Sequence, residues 1–168
     1  QVSRATSTPS ILAERVRQVL SPGGPISRAL AGFAPRPQQL KAATAIAEAL
    51  ERGQVLLLEA PTGTGKSLAA LVPVALWVRP ANRAIYSTAT ITLQDQLVSK
   101  DIPTVQLALE APRTAVAKGM HRYLCLAKWS SRYSRNTLAT NQDSPGLEEF
   151  ATWVQSTRTG DQSELVTV

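Results

Sequence analysis

The stretch that decides the fold is Val55-Leu56-Leu57-Leu58-Glu59-Ala60-Pro61-Thr62-Gly63-Thr64-Gly65-Lys66-Ser67. Its first part is a short, continuous apolar run, which is typical of a strand buried on both faces of a parallel sheet. Its second part ends in Gly-Lys-Ser and matches the P-loop pattern, in which a Gly-rich turn joins a strand to a helix. Ala60 stands where that pattern usually begins with Gly. The stretch therefore predicts a strand, a phosphate-binding loop and a helix in direct succession.

The predicted loop has the residue types needed to hold a nucleoside triphosphate. Gly63 and Gly65 can adopt backbone angles that turn successive N–H groups toward phosphate oxygens. We expect Lys66 to reach the β- and γ-phosphates and the Ser67 hydroxyl to coordinate Mg²⁺. The predicted ligand is ATP with Mg²⁺, and the remaining loop positions that would surround it are Ala60, Pro61, Thr62 and Thr64. The alternative is a Gly-rich turn that arises by chance.

The sequence around this stretch alternates between predicted helices and strands. Pro37 is a favourable first residue for a helix, Gly53 is a favourable stop, and Thr90 can cap a further helix. The order strand, helix, strand, helix, strand favours an α/β fold with a mostly parallel sheet. The predicted elements are helices at 11–20, 37–50, 67–78 and from 90 onward, and strands at 55–58, 83–88 and 114–117.

Positive charge is concentrated in one part of the chain. The formal net charge is +6, and residues 111–142 carry six Lys or Arg and no acidic residue. A patch of one sign suits a polyanion such as nucleic acid. Trp129 and Tyr133 lie among these basic residues, where they can stack on bases or form a small local core. The patch favours nucleic-acid binding, and a solvated basic helix face is the alternative.

The composition limits the class of protein. The longest apolar run, from Leu68 to Val78, contains Pro73 and is too short to span a bilayer. The first residues lack the apolar core of a signal peptide. A single cysteine excludes an internal disulfide and fits a reducing compartment. We therefore expect a cytoplasmic protein without a membrane segment.

Four segments of the chain resemble the DinG-like branch of the XPD-type iron–sulfur DNA helicases of superfamily two. They are the segment with Arg36 and Gln39, the P-loop, and the segments 86–97 and 118–125. The resemblance extends from about residue 21 to the last residue. It implies a RecA-like P-loop domain followed by the beginning of a helical iron–sulfur insertion.

The resemblance also implies roles for residues outside the P-loop. Gln39 is expected to hydrogen-bond the adenine edge, with Arg36 nearby, because an amide offers both a donor and an acceptor. In the family, the corner formed by 86–97 touches the backbone of single-stranded DNA. This implies DNA contacts from three hydroxyl residues, for which ordinary helix capping is the alternative: Ser87, Thr88 and Thr90.

The segment 118–125 is similar to the one that leads into the family's iron–sulfur domain. Met120 and His121 depart from the family's more frequent Lys-Gly-Arg opening. The resemblance implies that Cys125 is the first of four thiolate ligands of a 4Fe–4S cluster. Without it, a lone cysteine is most often a small buried hydrophobe. The segment also implies DNA contacts from Lys118, Arg122 and Tyr123.

The resemblance divides the chain into a lead-in and helix at 1–20, the first part of motor domain 1 at 21–117, and the beginning of the insertion at 118–168. No apolar strand ends in Asp-Glu, so we expect the acidic residues that hold Mg²⁺ and position water to lie outside this chain. The prediction is a truncated, N-terminal part of a monomeric ATP-dependent DNA helicase. Such a motor moves 5′ to 3′ on single-stranded DNA, and the fragment alone is not expected to hydrolyse ATP. The alternatives are a small-molecule or nucleotide kinase and a DNA-binding remnant without motor activity.

Overall fold

A computed structural model of the chain describes residues 9–78, 82–110, 113–134 and 146–165, without the side chains of 132–134. The chain divides into two compact units, Gln1–Thr114 and Ala115–Val168. In the described part of the chain, no helix has both the length and the apolar character needed to cross a membrane.

Helices make up the regular structure of the first unit. In chain order they are α1 (Ile11–Leu20), α2 (Pro25–Ala29), α3 (Pro37–Arg52), α4 (Lys66–Trp77), α5 (Ile91–Gln96), a π-helical turn (Leu97–Asp101) and α6 (Ile102–Leu109). The second unit contains a 3₁₀ turn (Met120–Arg122), α7 (Leu126–Ser134), α8 (Leu147–Ser156) and a 3₁₀ turn (Gln162–Glu164).

Local signals explain where the first helices begin and end. The Ser10 side chain caps α1 by accepting a hydrogen bond from the Ala13 N–H at 2.9 Å. Helix α3 begins at Pro37 and ends at Gly53, whose φ of 59° is the left-handed conformation that glycine adopts at helix ends. The sequence predicted both elements. It did not predict α2, in which Pro25 is the first residue.

The core of the first unit lies between α1, α3 and α4, with α2 and α6 packed onto it. Helix α4 is apolar on most of its surface, and it continues through the buried Pro73. Glu51 of α3 accepts a hydrogen bond at 2.7 Å from the backbone N–H of Leu12 in the first turn of α1. The side chains that fill this core include Leu12, Val16, Leu20, Ile26, Ala43, Ala47, Leu68, Val72 and Leu76.

The predicted strands are not assembled into a sheet in the described part of the chain. Segments 55–58 and 83–88 have neither helix nor ladder structure there, and neither has 114–117. The apolar side chains of Val55, Leu57 and Ile85 are almost completely exposed. A strand is stable only when a neighbouring strand takes up its backbone hydrogen bonds, and no described segment does so for these residues. The mostly parallel sheet therefore stays a prediction.

The second unit has a small aromatic core of its own. The Trp129 ring of α7 lies edge-on against Phe150 of α8, with ring centroids 5.2 Å apart. Phe150 also packs against the buried Trp153 at 5.3 Å. Trp129 thus takes the core role that was one of its two predicted alternatives, whereas the side chain of Tyr133 lies outside the described residues.

Substitutions of one buried and one exposed isoleucine can test whether α2 is part of the core. Ile26 is completely buried, whereas Ile11 is 75% exposed. Ile26→Ala should lower the free energy of unfolding by about 2–5 kcal/mol, because it removes packed methyl groups and leaves a cavity. Ile11→Ala should change it by less than about 0.5 kcal/mol. Denaturant unfolding measures both values, and equal losses would contradict this packing.

Candidate functional site

The P-loop joins α3 and α4 through two glycines in the left-handed conformation. Gly63 has φ of 80° and Gly65 has φ of 79°, and Gly65 is the N-cap of α4. A Cβ atom added to Gly65 would lie 2.2 Å from Nε2 of Gln39, so the end of the Gln39 side chain would have to move. The backbone angle therefore favours glycine at position 65, and any larger residue there would also displace the Gln39 amide.

The residues predicted upstream of the loop are held directly against it. Nε2 of Gln39 donates a hydrogen bond to the Gly65 carbonyl at 3.1 Å, and the Gln39 side chain is buried. Arg36 is the N-cap of α3, and its guanidinium donates to the Gly63 carbonyl. Two residues of α3's first turn thus contact the two glycines that shape the loop. The structure brings together the residues that the sequence assigned to adenine and to phosphate.

Lys66 and Thr64 make contacts within the loop itself. The Lys66 ammonium donates to the carbonyl oxygens of Ala60 at 2.8 Å and Pro61 at 3.1 Å. The Thr64 hydroxyl donates to the same Pro61 carbonyl at 2.9 Å. These contacts hold the lysine charge over the loop, next to the N-terminal end of α4. A helix N-terminus and a nearby ammonium together favour a phosphate at this place.

An open cleft lies beside the loop. It has a volume of about 420 Å³, within the usual range for a small-molecule site. Its lining comes from the α2–α3 connection, the start of α4, and the π-helical turn with its neighbours. The residues that line it include Phe33, Arg36, Gln39, Gly65, Ser67, Gln96, Lys100 and Asp101.

The three hydroxyl residues predicted to contact DNA lie at the corner before α5. The Thr90 hydroxyl caps α5 by accepting a hydrogen bond from the Leu93 N–H at 3.3 Å. The Thr88 hydroxyl donates to the Thr90 carbonyl at 3.1 Å, and Ser87 is exposed. Helix capping therefore accounts for the role of the Thr90 hydroxyl in this structure. The DNA contacts of all three residues stay predictions.

In the second unit, residues 118–124 contact residues 160–164, which come some forty positions later. We call this pair of contacting segments the clasp. The Lys118 ammonium lies 2.8 Å from a carboxylate oxygen of Asp161, and these side chains are only 7% and 15% exposed. It also donates to the Ser163 hydroxyl at 3.1 Å. The backbone N–H of Leu124 donates to the Gly160 carbonyl at 2.7 Å. The clasp therefore combines an ion pair with backbone bonding.

The clasp also fixes Tyr123, one of the predicted DNA contacts. Its hydroxyl accepts a hydrogen bond from the Lys118 backbone N–H at 3.0 Å, and the residue forms an isolated antiparallel bridge with Asp161. Nearby, the Gln162 amide donates to the His121 carbonyl at 3.2 Å. The contacts of Asp161 and Gln162 with the segment 118–124 were not predicted from the sequence. A separation of some forty residues leaves no local pattern by which such partners can be recognised.

Cys125 lies at the start of α7, where its carbonyl accepts a hydrogen bond from the Trp129 N–H at 2.9 Å. Its thiol is exposed. In the parts of the chain that the structure describes, no group of three or more His, Cys, Asp or Glu side chains could hold a metal ion. A 4Fe–4S cluster takes four protein ligands, so the described residues alone do not fit one. Cys125 as a cluster ligand stays a prediction.

The Lys118–Asp161 pair makes the stability of the second unit depend on pH. The hydrogen bond from Lys118 lowers the pKa of Asp161, and a bond from the Ser163 backbone acts in the same direction. Because the folded pKa lies below the unfolded one, the pair stabilises the fold at neutral pH. This stabilisation is lost as the pH falls from the unfolded pKa, about 3.9, through the lower folded pKa.

Asp161→Asn should therefore reduce the free energy of unfolding at pH 7 and flatten its pH dependence between about pH 5 and pH 3. Lys118→Met should remove a large part of the same dependence, because it removes the main cause of the pKa change. Denaturant unfolding monitored by Trp fluorescence at a series of pH values measures both. An unchanged slope in Asp161→Asn would show that the ion pair contributes nothing to stability.

The chain matches the DEAD/DEAH box helicase family over residues 36–127. It is 38% identical over 149 residues to the ATP-dependent DNA helicase YoaA of Escherichia coli K12, covering 88% of this chain and 23% of that protein. The corresponding helicase YoaA of Haemophilus influenzae is 33% identical over 153 residues, covering 90% of this chain and 23% of that protein. The ATP-dependent helicase DinG of Mycobacterium tuberculosis H37Rv is 35% identical over 156 residues, with coverages of 82% and 23%. No solved structure matches the chain.

These matches confirm the resemblance to DinG-like helicases, and they imply a RecA-like fold for the first unit. The chain spans less than a quarter of the length of these relatives. The family match includes Arg36, Gln39, the P-loop and Cys125. Because this match extends over more than half of the residues, the chain belongs to the DEAD/DEAH box helicase family.

Proposed function

We propose that this chain supplies the nucleotide-binding part of the first motor domain of an ATP-dependent DNA helicase. The observation that carries the proposal is the contact of Arg36 and Gln39 with the carbonyls of Gly63 and Gly65. A P-loop alone is compatible with many phosphate-transferring enzymes. The family resemblance implies that an Arg and a Gln upstream of the P-loop recognise adenine next to the phosphates. In this chain, Arg36 and Gln39 contact the P-loop directly.

The chemistry of the site follows from the P-loop and from the groups that line the cleft beside it. The backbone N–H groups of the loop residues other than Pro61, together with the Lys66 ammonium, would neutralise the charge of the triphosphate. Ser67 lines the cleft at the first turn of α4, and its hydroxyl would be a ligand for the Mg²⁺ that accompanies the nucleotide. Hydrolysis also needs an acidic box to position water. That box belongs to the longer protein, so in this chain Lys66 and Ser67 hold the substrate without completing the reaction.

The proposed partner is single-stranded DNA, along which the longer protein moves from 5′ to 3′ as a monomer. In the first unit, the exposed Ser87 and the neighbouring hydroxyls of Thr88 and Thr90 are suited to phosphate oxygens. In the second unit, the basic residues supply attraction that does not depend on sequence. Arg122 and Tyr123 are the proposed contacts there. Lys118 is proposed with them through its charge, although Asp161 already pairs with its ammonium.

The exposed apolar segments support the proposed parallel sheet. Val55, Leu57 and Ile85 are exposed here but have the character of residues buried on both faces of such a sheet. Strands from the longer protein would cover segments 55–58, 83–88 and 114–117. The division of the chain after Thr114 also supports a boundary near 117 between the motor domain and an insertion.

The exposed thiol of Cys125 supports the proposed iron–sulfur site, because a ligand to a cluster shared with distant residues must be accessible from outside its own helix. Three further thiolates from the longer protein would complete the 4Fe–4S cluster. We place the protein in the cytoplasm, where ATP and DNA are both present and a single cysteine stays reduced.

Lys66→Ala should abolish ATP hydrolysis by the longer protein and weaken ATP binding at least about tenfold, since the charge-assisted contacts to the phosphates are lost. Lys41→Ala is the matched control, because Lys41 is an exposed lysine on α3 that does not belong to the loop. Calorimetric titration with ATP and a DNA-stimulated hydrolysis assay give the two readouts. Wild-type hydrolysis in Lys66→Ala would refute the nucleotide site.

Arg122→Gln should weaken binding to a fluorescent single strand and reduce the steepness of its salt dependence. One lost phosphate contact lowers the slope of log K against log salt by about 0.7 for single strands. Arg17→Gln is the control, because Arg17 pairs with Glu14 on α1 and belongs to neither proposed DNA surface. Anisotropy titrations at several salt concentrations measure the slopes. Absence of single-strand binding by the wild type at low salt would favour a small-molecule kinase instead.

A further inference from the structure

One acidic residue lines the nucleotide cleft without a role in the site described above. Asp101 is the last residue of the π-helical turn between α5 and α6, and it is 8% exposed. It shares the lining of the cleft with Gly65 and Ser67. A π-helical turn inside a helix interrupts the regular hydrogen bonds and is frequent at functional sites. The turn places a buried carboxylate beside the P-loop.

The hydrogen-bonding capacity of this carboxylate is largely unused. In the described part of the chain, its side chain receives one hydrogen bond, from Nε2 of Gln96 to one carboxylate oxygen at 3.3 Å. No described Lys, Arg or His pairs with it, although Lys100 lines the same cleft. An ionised carboxylate can accept about four hydrogen bonds. Burying one without further donors is unfavourable, so a ligand in the cleft has a reason to supply them.

The chemistry of a carboxylate limits which part of a nucleotide it can meet. It repels phosphates, and the phosphates already have the P-loop and Lys66. A metal ion would need several ligands, and the described residues contain no cluster of three acidic, His or Cys side chains to provide them. The donors that remain on a nucleotide are the sugar hydroxyls and the amino group of the base. Both belong to the nucleoside part.

We propose that Asp101 accepts a hydrogen bond from the nucleoside part of the bound nucleotide, either from a ribose hydroxyl or from the amino group of the base. This inference rests on the nucleotide site proposed above and adds a residue that selects among triphosphates. Gln39 and Asp101 then contact the nucleoside, while Lys66 and Ser67 hold the phosphates. Analogues that lack the relevant donor leave the buried carboxylate unpaired, so they bind more weakly than ATP.

The test compares four nucleotides in the longer protein: ATP, 2′-deoxy-ATP, 3′-deoxy-ATP and purine riboside triphosphate, which lacks the amino group. The wild type should bind at least one of the three analogues about tenfold more weakly than ATP, as expected for one lost hydrogen bond to a charged group. Asp101→Leu, which keeps a similar volume without an acceptor, should remove this difference. The analogue that is rejected identifies the donor as a sugar hydroxyl or the base amino group.

Binding of inorganic tripolyphosphate separates this inference from the nucleotide site itself. Tripolyphosphate needs only the P-loop, so the Asp101→Leu variant should bind it as tightly as the wild type does. The Lys66→Ala variant should bind it more weakly than the wild type. If the wild type binds neither ATP nor tripolyphosphate, the proposed nucleotide site fails. If it binds both but does not discriminate among the four nucleotides, the role of Asp101 is overturned.

A second variant covers the possibility that Asp101→Leu does not fold. Asp101→Asn keeps the shape of the side chain but removes its charge, and it should reduce the discrimination severalfold while melting cooperatively. Discrimination equal to that of the wild type in a folded Asp101→Asn or Asp101→Leu protein would also overturn the proposal. A changed apparent affinity for Mg²⁺ with unchanged discrimination would assign Asp101 to the metal instead.

Discussion

The hydrogen bond from Gln39 to the Gly65 carbonyl connects two helices that local sequence forms independently. Helix α3 carries Gln39 in its first turn, and Gly65 caps the beginning of α4. Gly65 has a left-handed conformation that favours glycine, and a Cβ at this position would force the buried Gln39 amide to move. One glycine therefore serves the turn of the loop and the attachment of α3 at the same time. The cleft exists because this attachment keeps the α2–α3 connection beside the start of α4.

Local signals were sufficient to predict much of the first unit from the sequence. Helix α1 has the bounds that its apolar spacing indicated, and α3 begins at Pro37 and stops at Gly53 as expected. The start of α4 follows from the Gly-Lys-Ser pattern. Each of these features is decided by residues within one or two turns, where capping and backbone angles act. Arg36 and Gln39 were singled out for a different reason, because the family resemblance implies a role for them next to the nucleotide; their contacts with adenine stay predictions.

Contacts between segments that are far apart in the sequence could not be predicted from residue patterns and spacing. Lys118 lies in a basic region, and the sequence therefore indicated a DNA contact for it. In the structure its side chain is instead largely buried against Asp161, in a segment some forty residues later. Asp101 was not singled out from the sequence; it lies at the end of the π-helical turn and lines the cleft. The sheet could be predicted but is not assembled here. A ladder needs neighbours, and the segment that includes Val55 and Leu57 has none among the described residues.

The clasp has a consequence for the order in which the second unit acquires its structure. The backbone hydrogen bonds of helices α7 and α8 join residues only four positions apart and can form within microseconds. The Lys118–Ser163 contact joins residues 45 positions apart, so it must wait until the later segment has been made. At a synthesis rate of about 5–20 residues per second, that delay is on the order of a few seconds. Until then the segment 118–124, which leads directly into Cys125, lacks the contacts that hold it in the folded unit.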